Sequence, residues 1–359
     1  MKKSLLALAI LASAATVPAV SYAASSVSVY GLIDSYVSVN NDSGNVSSGL
    51  HSGGSSGSYF GFKGTEDLGL WGGSQAVFKL ESGFLSDDGT YAQSFAGNTS
   101  RIFHREAWLG LRSPKFGQIS FGRQYTPHFL TWAMSDVNGL SLGTAASPFF
   151  FPGAGATMGG SDPTQDDLVR ANNSIFWASP NLNGFTIMGY AALGENTRSN
   201  GTKSSTQGNI YNVGVNYAKG PLFVMGSVLY QNLGRSALDF RPSGHDTYYE
   251  LSASYDFGVT KPAIQLEYKN GEDTTWSQDF FLVQIGTTTP MFGGHLNTTA
   301  AYYKNQTLSK SDGYSFGARF DYNLSKRTMV YIGAEALIQE ANAQFSIEAG
   351  PDSSLHYPT

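Results

Sequence analysis

In Tyr314-Ser315-Phe316-Gly317-Ala318-Arg319-Phe320-Asp321-Tyr322, the residues Tyr314, Phe316, Ala318, Phe320 and Tyr322 fall on one face of an extended chain. Ser315, Gly317, Arg319 and Asp321 fall on the other. A strand has a side-chain period of two, so this is one apolar face and one wet face. The same unit recurs. Tyr211, Val213, Val215 and Tyr217 oppose Asn212, Gly214 and Asn216, and Tyr249, Leu251, Ala253 and Tyr255 oppose Glu250, Ser252 and Ser254. Ile264, Leu266 and Tyr268 oppose Gln265, Glu267 and Lys269. Rings sit toward both ends of these apolar faces, as an interfacial aromatic belt requires.

Working outward, the predicted strands are 26–39, 58–66, 74–84, 104–112, 118–125, 170–179, 184–193, 209–218, 222–231, 246–257, 262–270, 279–288, 295–304, 313–322 and 328–339. The tight connections, such as Ser113–Gly117, Pro180–Asn183 and Lys219–Pro221, carry the Gly, Pro or Asn that turns demand. They alternate with long ones: Asn40–Gly57, Leu85–Phe103, Gly194–Gln207 and Asn305–Asp312. Turns on one rim and loops on the other mean up-and-down topology. A soluble sandwich shares the parity but has no reason to segregate loop lengths. The expected fold is therefore all-β, an antiparallel up-and-down transmembrane β-barrel. Ser47–Ser58 reads as a flexible Gly/Ser loop.

Bulk composition agrees. The chain of 359 residues has 42 Gly, 20 Tyr and 23 Phe, no Cys and only 14% charged residues, which suits barrel strands better than helices. Residues 1–23 read as a secretory signal peptide: Lys2 and Lys3, an apolar stretch from Leu5, then Ser21-Tyr22-Ala23 for cleavage. The expected mature domain is 24–359. Without Lys2 and Lys3, the 22 basic residues fall to 20 against 27 acidic, a formal charge of −7. That balance argues against nucleic acid as a partner. Export without cysteine excludes a disulfide scaffold and Cys-ligated metals. No cofactor motif appears.

Thr126–Val169 is too long for a plain surface loop, and its rings, including Phe149-Phe150-Phe151, argue against disorder. A water-filled lumen would accept it as an inward-folded constriction. Catalytic signals are weak. Gly53-Gly54-Ser55-Ser56-Gly57 fits G-x-S-x-G, but a nucleophile elbow needs a strand–turn–helix context. None of the six histidines is strongly placed for catalysis.

Several runs resemble the general trimeric diffusion porins of the Gram-negative outer membrane. They are Ser25–Gly31, Tyr59-Phe60-Gly61-Phe62-Lys63-Gly64-Thr65-Glu66-Asp67-Leu68-Gly69, Arg105–Leu111, Phe116–Tyr125 with its Gly122-Arg123-Gln124-Tyr125, and Asn172–Ile175 with Ser179-Pro180. The resemblance implies a 16-stranded barrel that forms a homotrimer. It would sit among outer-membrane lipid and lipopolysaccharide and pass small hydrophilic solutes and ions. It implies no enzymatic activity. A substrate-specific sugar porin using Phe149–Phe151 is the alternative, and an outer-membrane barrel enzyme a more distant one.

By matching motif, Lys63, Arg105 and Arg170 correspond to basic wall residues of the pore constriction, and Asp136, Asp166 and Asp167 to the acids of the inward loop. Arg123 corresponds to an arginine at the subunit interface, and parity agrees, since it shares a face with Ile119 and Phe121. Parity places Arg105 with Ala107, Leu109 and Leu111, so a lumen position requires loosened register near the rim. Tyr59 stands where the family often has a base, leaving the basic ladder a rung short. Glu250, Glu267, Lys269, Arg319 and Glu335 are expected to be solvated lumen charges, since a charge on the lipid face would cost about 2–4 kcal/mol at the midplane. The negative total favours cations, with local rings deciding. The predicted strands number 15, and the chain stops at Leu355–Thr359 where family members close with a further strand ending in an aromatic. The expectation is a barrel lacking its last strand.

Overall fold

The computed structural model describes residues 25–42, 44–70, 72–91, 101–150, 168–194, 208–233, 244–271, 279–343, 345 and 347. The predicted signal peptide, Asp166, Asp167 and the chain end lie outside them.

One antiparallel sheet dominates. Its strands are β1 (Ser26–Leu32), β4 (Tyr59–Asp67), β5 (Gln75–Gly83), β6 (Glu106–Ser113), β7 (Gly117–Tyr125), β8 (Arg170–Ala178), β9 (Phe185–Ala192) and β10 (Ile210–Lys219). It continues through β11 (Leu222–Leu233), β12 (Gly244–Tyr255), β13 (Lys261–Gly271), β14 (Phe280–Met291), β15 (Gly294–Asn305), β16 (Gly313–Asn323) and β17 (Met329–Gln339). Each strand pairs with its neighbour in sequence, giving a 15-stranded sheet in the order β1, β4, then β5 through β17. This is the strand count that the alternation predicts.

The sheet curls round its own inward loop. Asn212 on β10 and Glu335 on β17, at opposite ends of the sheet's second half, both bond to residues 128–143 of one segment. The segment begins with helix α1 (Pro127–Ala133), capped by Thr126, whose hydroxyl accepts from the Phe129 N–H at 3.1 Å; a one-turn helix, α2 (Ser147–Phe150), follows. At the seam, the Tyr331 hydroxyl of β17 donates to Asp34 beyond β1 at 2.7 Å.

Burial is inverted relative to a soluble sheet. Along β10, Asn212, Gly214 and Asn216 are buried while Tyr211, Val213 and Val215 are exposed. Apolar side chains thus face outward, and polar ones face the lumen, which suits a lipid surround. The rings form two outward belts. Tyr211–Tyr230, Tyr249–Tyr268 and Tyr302–Tyr314 pair near the long loops, and Phe185–Tyr217 and Tyr255–Phe257 near the tight turns. Tyr211 and Tyr217 are separated by roughly 20 Å of strand, the height of an apolar band.

Two expectations change. The first predicted strand, 26–39, breaks at Ile33–Asp34, and the predicted loop 40–57 is largely a hairpin of β2 (Ser35–Asp42) and β3 (Asn45–Ser52). The Gly/Ser stretch after it is not a free loop, because the Asp34 carboxylate accepts from the Ser55 and Ser56 amides at 2.6 and 2.8 Å. Small residues here let the backbone close on one carboxylate. The G-x-S-x-G match sits in this turn, followed by β4 rather than a helix.

Candidate functional site: the lumen constriction

The lumen face of β1 and β4–β8 carries a continuous polar cluster. Alternation along β4 directs Tyr59 and Lys63 inward, and alternation along β5 directs Lys79 and Glu81 inward, with Lys63 and Lys79 paired directly across the strands. Lys63 is exposed and lies 4.9 Å over the Tyr30 ring. Lys79 bridges Glu81 at 3.2 Å and Glu106, and Glu106 also accepts from the Trp108 indole at 3.0 Å. The Tyr30 hydroxyl donates to Glu81 at 2.7 Å.

Arg105 belongs to this cluster. It lies one residue before β6, where the ladder ends at Glu81 opposite Glu106, so strand parity no longer binds it. Its Nε donates to Glu81 at 2.7 Å, and its guanidinium stacks 4.7 Å over the Tyr59 ring. Tyr59, read as a missing rung, is thus the platform for one. Arg105 and Arg170 both donate to the Tyr125 hydroxyl, at 3.2 and 2.9 Å, and Arg170 stacks on that ring at 4.6 Å. The three predicted wall bases therefore meet in one network. The fourth base, Lys79, was legible: it shares parity with Gln75 and Glu81 in a predicted strand.

Asp136 has a different task from the one expected. It does not face the bases. Its Oδ2 accepts from the Asn138 and Leu140 amides, both at 2.9 Å, and from the Thr144 hydroxyl at 2.9 Å, while Oδ1 accepts from Gln284 at 2.6 Å. The carboxylate knots the loop and ties it to β14. Removing it in Asp136→Ala leaves two loop amides unpaired at about 1–3 kcal/mol each. Exchange of the Asn138 and Leu140 amide hydrogens should then quicken by a hundredfold or more, and unchanged protection would show that the knot is dispensable.

The charges expected to be solvated on the opposite wall are mostly covered by the loop. Arg319 is 2% exposed. It forms a two-pronged pair with Asp321 at 2.7 and 3.1 Å and donates to Ser141 Oγ at 2.5 Å and Leu142 O at 3.1 Å. The Gly143 amide donates to Glu335, and Glu250 and Glu267 are buried beneath α1 beside His128 and Trp132. Burial pushes the His128 imidazole below its usual range, against the opposing pull of Glu267. The reason for the correction is steric. Residues 127–149 of the loop carry one carboxylate, Asp136, and lie against this wall, so wall polar groups become their anchors. Gln265, Gln284 and Thr299 do the same. Contact is close enough that a Cβ on Gly317 would lie 2.2 Å from Gly143 O, so only glycine fits there.

Phe149 is also a packing residue, stacked on Tyr303 with centroids 5.6 Å apart and edge-on to Phe345 at 4.8 Å. It is 2% exposed and so offers no surface to a sugar, and the Phe150 side chain and Phe151, the other rings expected there, lie outside the described residues. Arg123 spends its guanidinium on its own chain, donating to His104 O, Arg170 O and Asn172 Oδ1. The register shift between Gly122 and Gln124 places it there.

An outward-apolar sheet, a polar lumen and a loop laid across that lumen describe a water-filled pore narrowed from within. The family model described as Gram-negative porin matches residues 7–340. The chain is a Gram-negative porin. Outer membrane porin protein 32 of Delftia acidovorans is 33% identical over 336 residues, covering 92% of this chain and 88% of that protein. Among solved structures, the anion-selective porin from Comamonas acidovorans superposes with a TM-score of 0.73 at 26% identity, covering 92% of this chain and 96% of that one. A Salmonella typhi OmpF complex shares the fold alone, with a TM-score of 0.60 at 14% identity, covering 91% and 94% of the two chains. This porin is thus an outer-membrane diffusion channel.

Proposed function

We propose that this porin is a non-enzymatic, anion-preferring channel for small hydrophilic solutes, working as a homotrimer after loss of its signal peptide. The observation that carries the ion preference is the charge of the connected cluster around Tyr30, Tyr59 and Tyr125 on the β4–β8 wall. Four bases, Lys63, Lys79, Arg105 and Arg170, stand against two acids, Glu81 and Glu106, a local surplus of two positive charges. The exposed member of the set is Lys63, a base. Asp136 is turned to the loop's own amides and to Gln284 of β14 rather than to these bases. Local rings outweigh the chain's negative total in setting permeation, so the cation preference expected from net charge gives way.

The likeness to an anion-selective porin supports the same reading. The homotrimer and the membrane-lipid environment rest on family membership, as does the interface role for Arg123. Asp166 and Asp167, offered as loop acids by the motif match alone, would offset this surplus if they faced the wall, and the reversal potential reads the balance.

The test is a reversal potential. Purified porin in a planar bilayer under a tenfold KCl gradient should conduct in ohmic steps and reverse on the chloride side of zero. Reversal on the potassium side would overturn the anion preference, and hydrolysis of lipid or peptide without conductance would overturn the channel.

A further inference from the structure

Where α1 lies on the wall, three chemically matched side chains meet: His128 of the loop, Glu250 of β12 and Glu267 of β13. One potential ligand atom from each lies within 4.8 Å of the other two, and all three residues are buried. Glu250 and Glu267 are direct cross-strand partners, a placement in which two like charges repel. Among the described residues the lysine that acts on Glu267 is Lys269, which is itself paired with Asp246 at 2.8 Å.

Some of the oxygens are accounted for. Ser227 donates to Glu250 Oε2, and the Trp132 side chain hydrogen-bonds both carboxylates. Glu267 Oε2 has no hydrogen-bond partner among the described residues. His128 Nδ1 lies 2.8 Å from Glu250 Oε1. Two donor atoms at that separation subtend about 85° at an ion roughly 2.0–2.1 Å from each, so a tetrahedral zinc requires them to open to about 3.3 Å, a shift of about 0.5 Å.

We propose that His128, Glu250 and Glu267 form a site for a transition-metal dication, zinc in particular, that clamps the constriction loop to the barrel wall. A dication neutralises the two carboxylates and takes up the vacant Glu267 oxygen. One imidazole with two carboxylates is a borderline donor set, suited to zinc, nickel or cobalt, whereas an all-oxygen site would suit magnesium or calcium. The ligands come from both sides of the contact, so the ion adds a coordinate link to a loop otherwise held by hydrogen bonds and by packing such as that of Phe149 on Tyr303. The proposal is independent of ion selectivity, since these groups face the loop and not the basic wall.

The experiment is a zinc titration by calorimetry of the EDTA-treated, refolded full chain, alongside Glu267→Gln and His128→Ala. The wild type should take up one tight zinc per chain, and each variant should lose at least tenfold in affinity for that ion. Glu267→Gln keeps the shape of the side chain, and its bilayer conductance reports that it has folded. Cobalt should give a ligand-field absorption band in the wild type that both variants lack. Less than one tight zinc per chain in the wild type, or equal affinity in wild type and both variants, would overturn the site. Binding retained in both variants would instead mark adventitious zinc at His51, His245 or His295.

Discussion

Lys63→Glu should abolish the chloride preference and bring the reversal potential close to zero. The substitution changes the β4–β8 wall from a surplus of two positive charges to none. One unit charge about 8 Å from a permeating ion, at an effective dielectric constant of about 40, is worth roughly 1 kcal/mol, so a change of two charges alters the permeability ratio by tenfold or more. Folding is not at risk. Lys63 is exposed, its described contact is the Tyr30 ring, and a glutamate there would face Lys79 directly across the strands. A reversal potential within a few millivolts of wild type would show that permeating ions do not pass this wall.

Arg319→Ala should release the constriction loop. The side chain makes two bonds to the loop and two to Asp321 while nearly fully buried. Removing one partner of such a pair costs about 3–5 kcal/mol, because the remaining carboxylate keeps only its bond from Asn297. The expected results are a higher and noisier single-channel conductance and a melting temperature lower by several degrees. Arg319→Lys should repair little, since an ammonium cannot reproduce the two-pronged geometry. Wild-type conductance in Arg319→Ala would mean that the loop is held by its other contacts.

Both predictions depend on features that the sequence discloses unequally. The alternation in Tyr314–Tyr322 and its clean repeats marked many strands of the main sheet, because a lipid-facing strand must be apolar at every second position, while weaker segments such as Leu296–Tyr303 were placed mainly by position. The β2–β3 hairpin was invisible for the same reason. Its residues Ser35–Ser52 lie outside the wall, carry no such constraint and are mostly small and polar. Arg105 could join the lumen bases only if register failed at the rim, and the β5–β6 ladder ends at Glu106, one residue after it.

Asp136 was misjudged because a motif match gives a position and not an orientation. Its carboxylate turns inward to amides two and four residues on. Glu250, Glu267 and Arg319 were legible as lumen-facing but not as covered, since cover depends on where a segment distant in sequence comes to lie. His128 was one histidine among six until the fold set it beside two glutamates 122 and 139 residues away.

The loop's fastenings are unevenly spread. Among the described residues they run to β10 at Asn212, β13 at Gln265, β14 at Gln284, β15 at Thr299, β16 at Arg319 and β17 at Glu335, with one backbone bond from Leu142 to the Gly54 carbonyl ahead of β4. In mechanical terms the loop is a brace across one half of a hoop. That half resists ovalisation, while the wall bearing Lys63, Lys79 and Arg105 is the compliant arc. Lateral stress in the surrounding bilayer would meet these described fastenings first on the braced half.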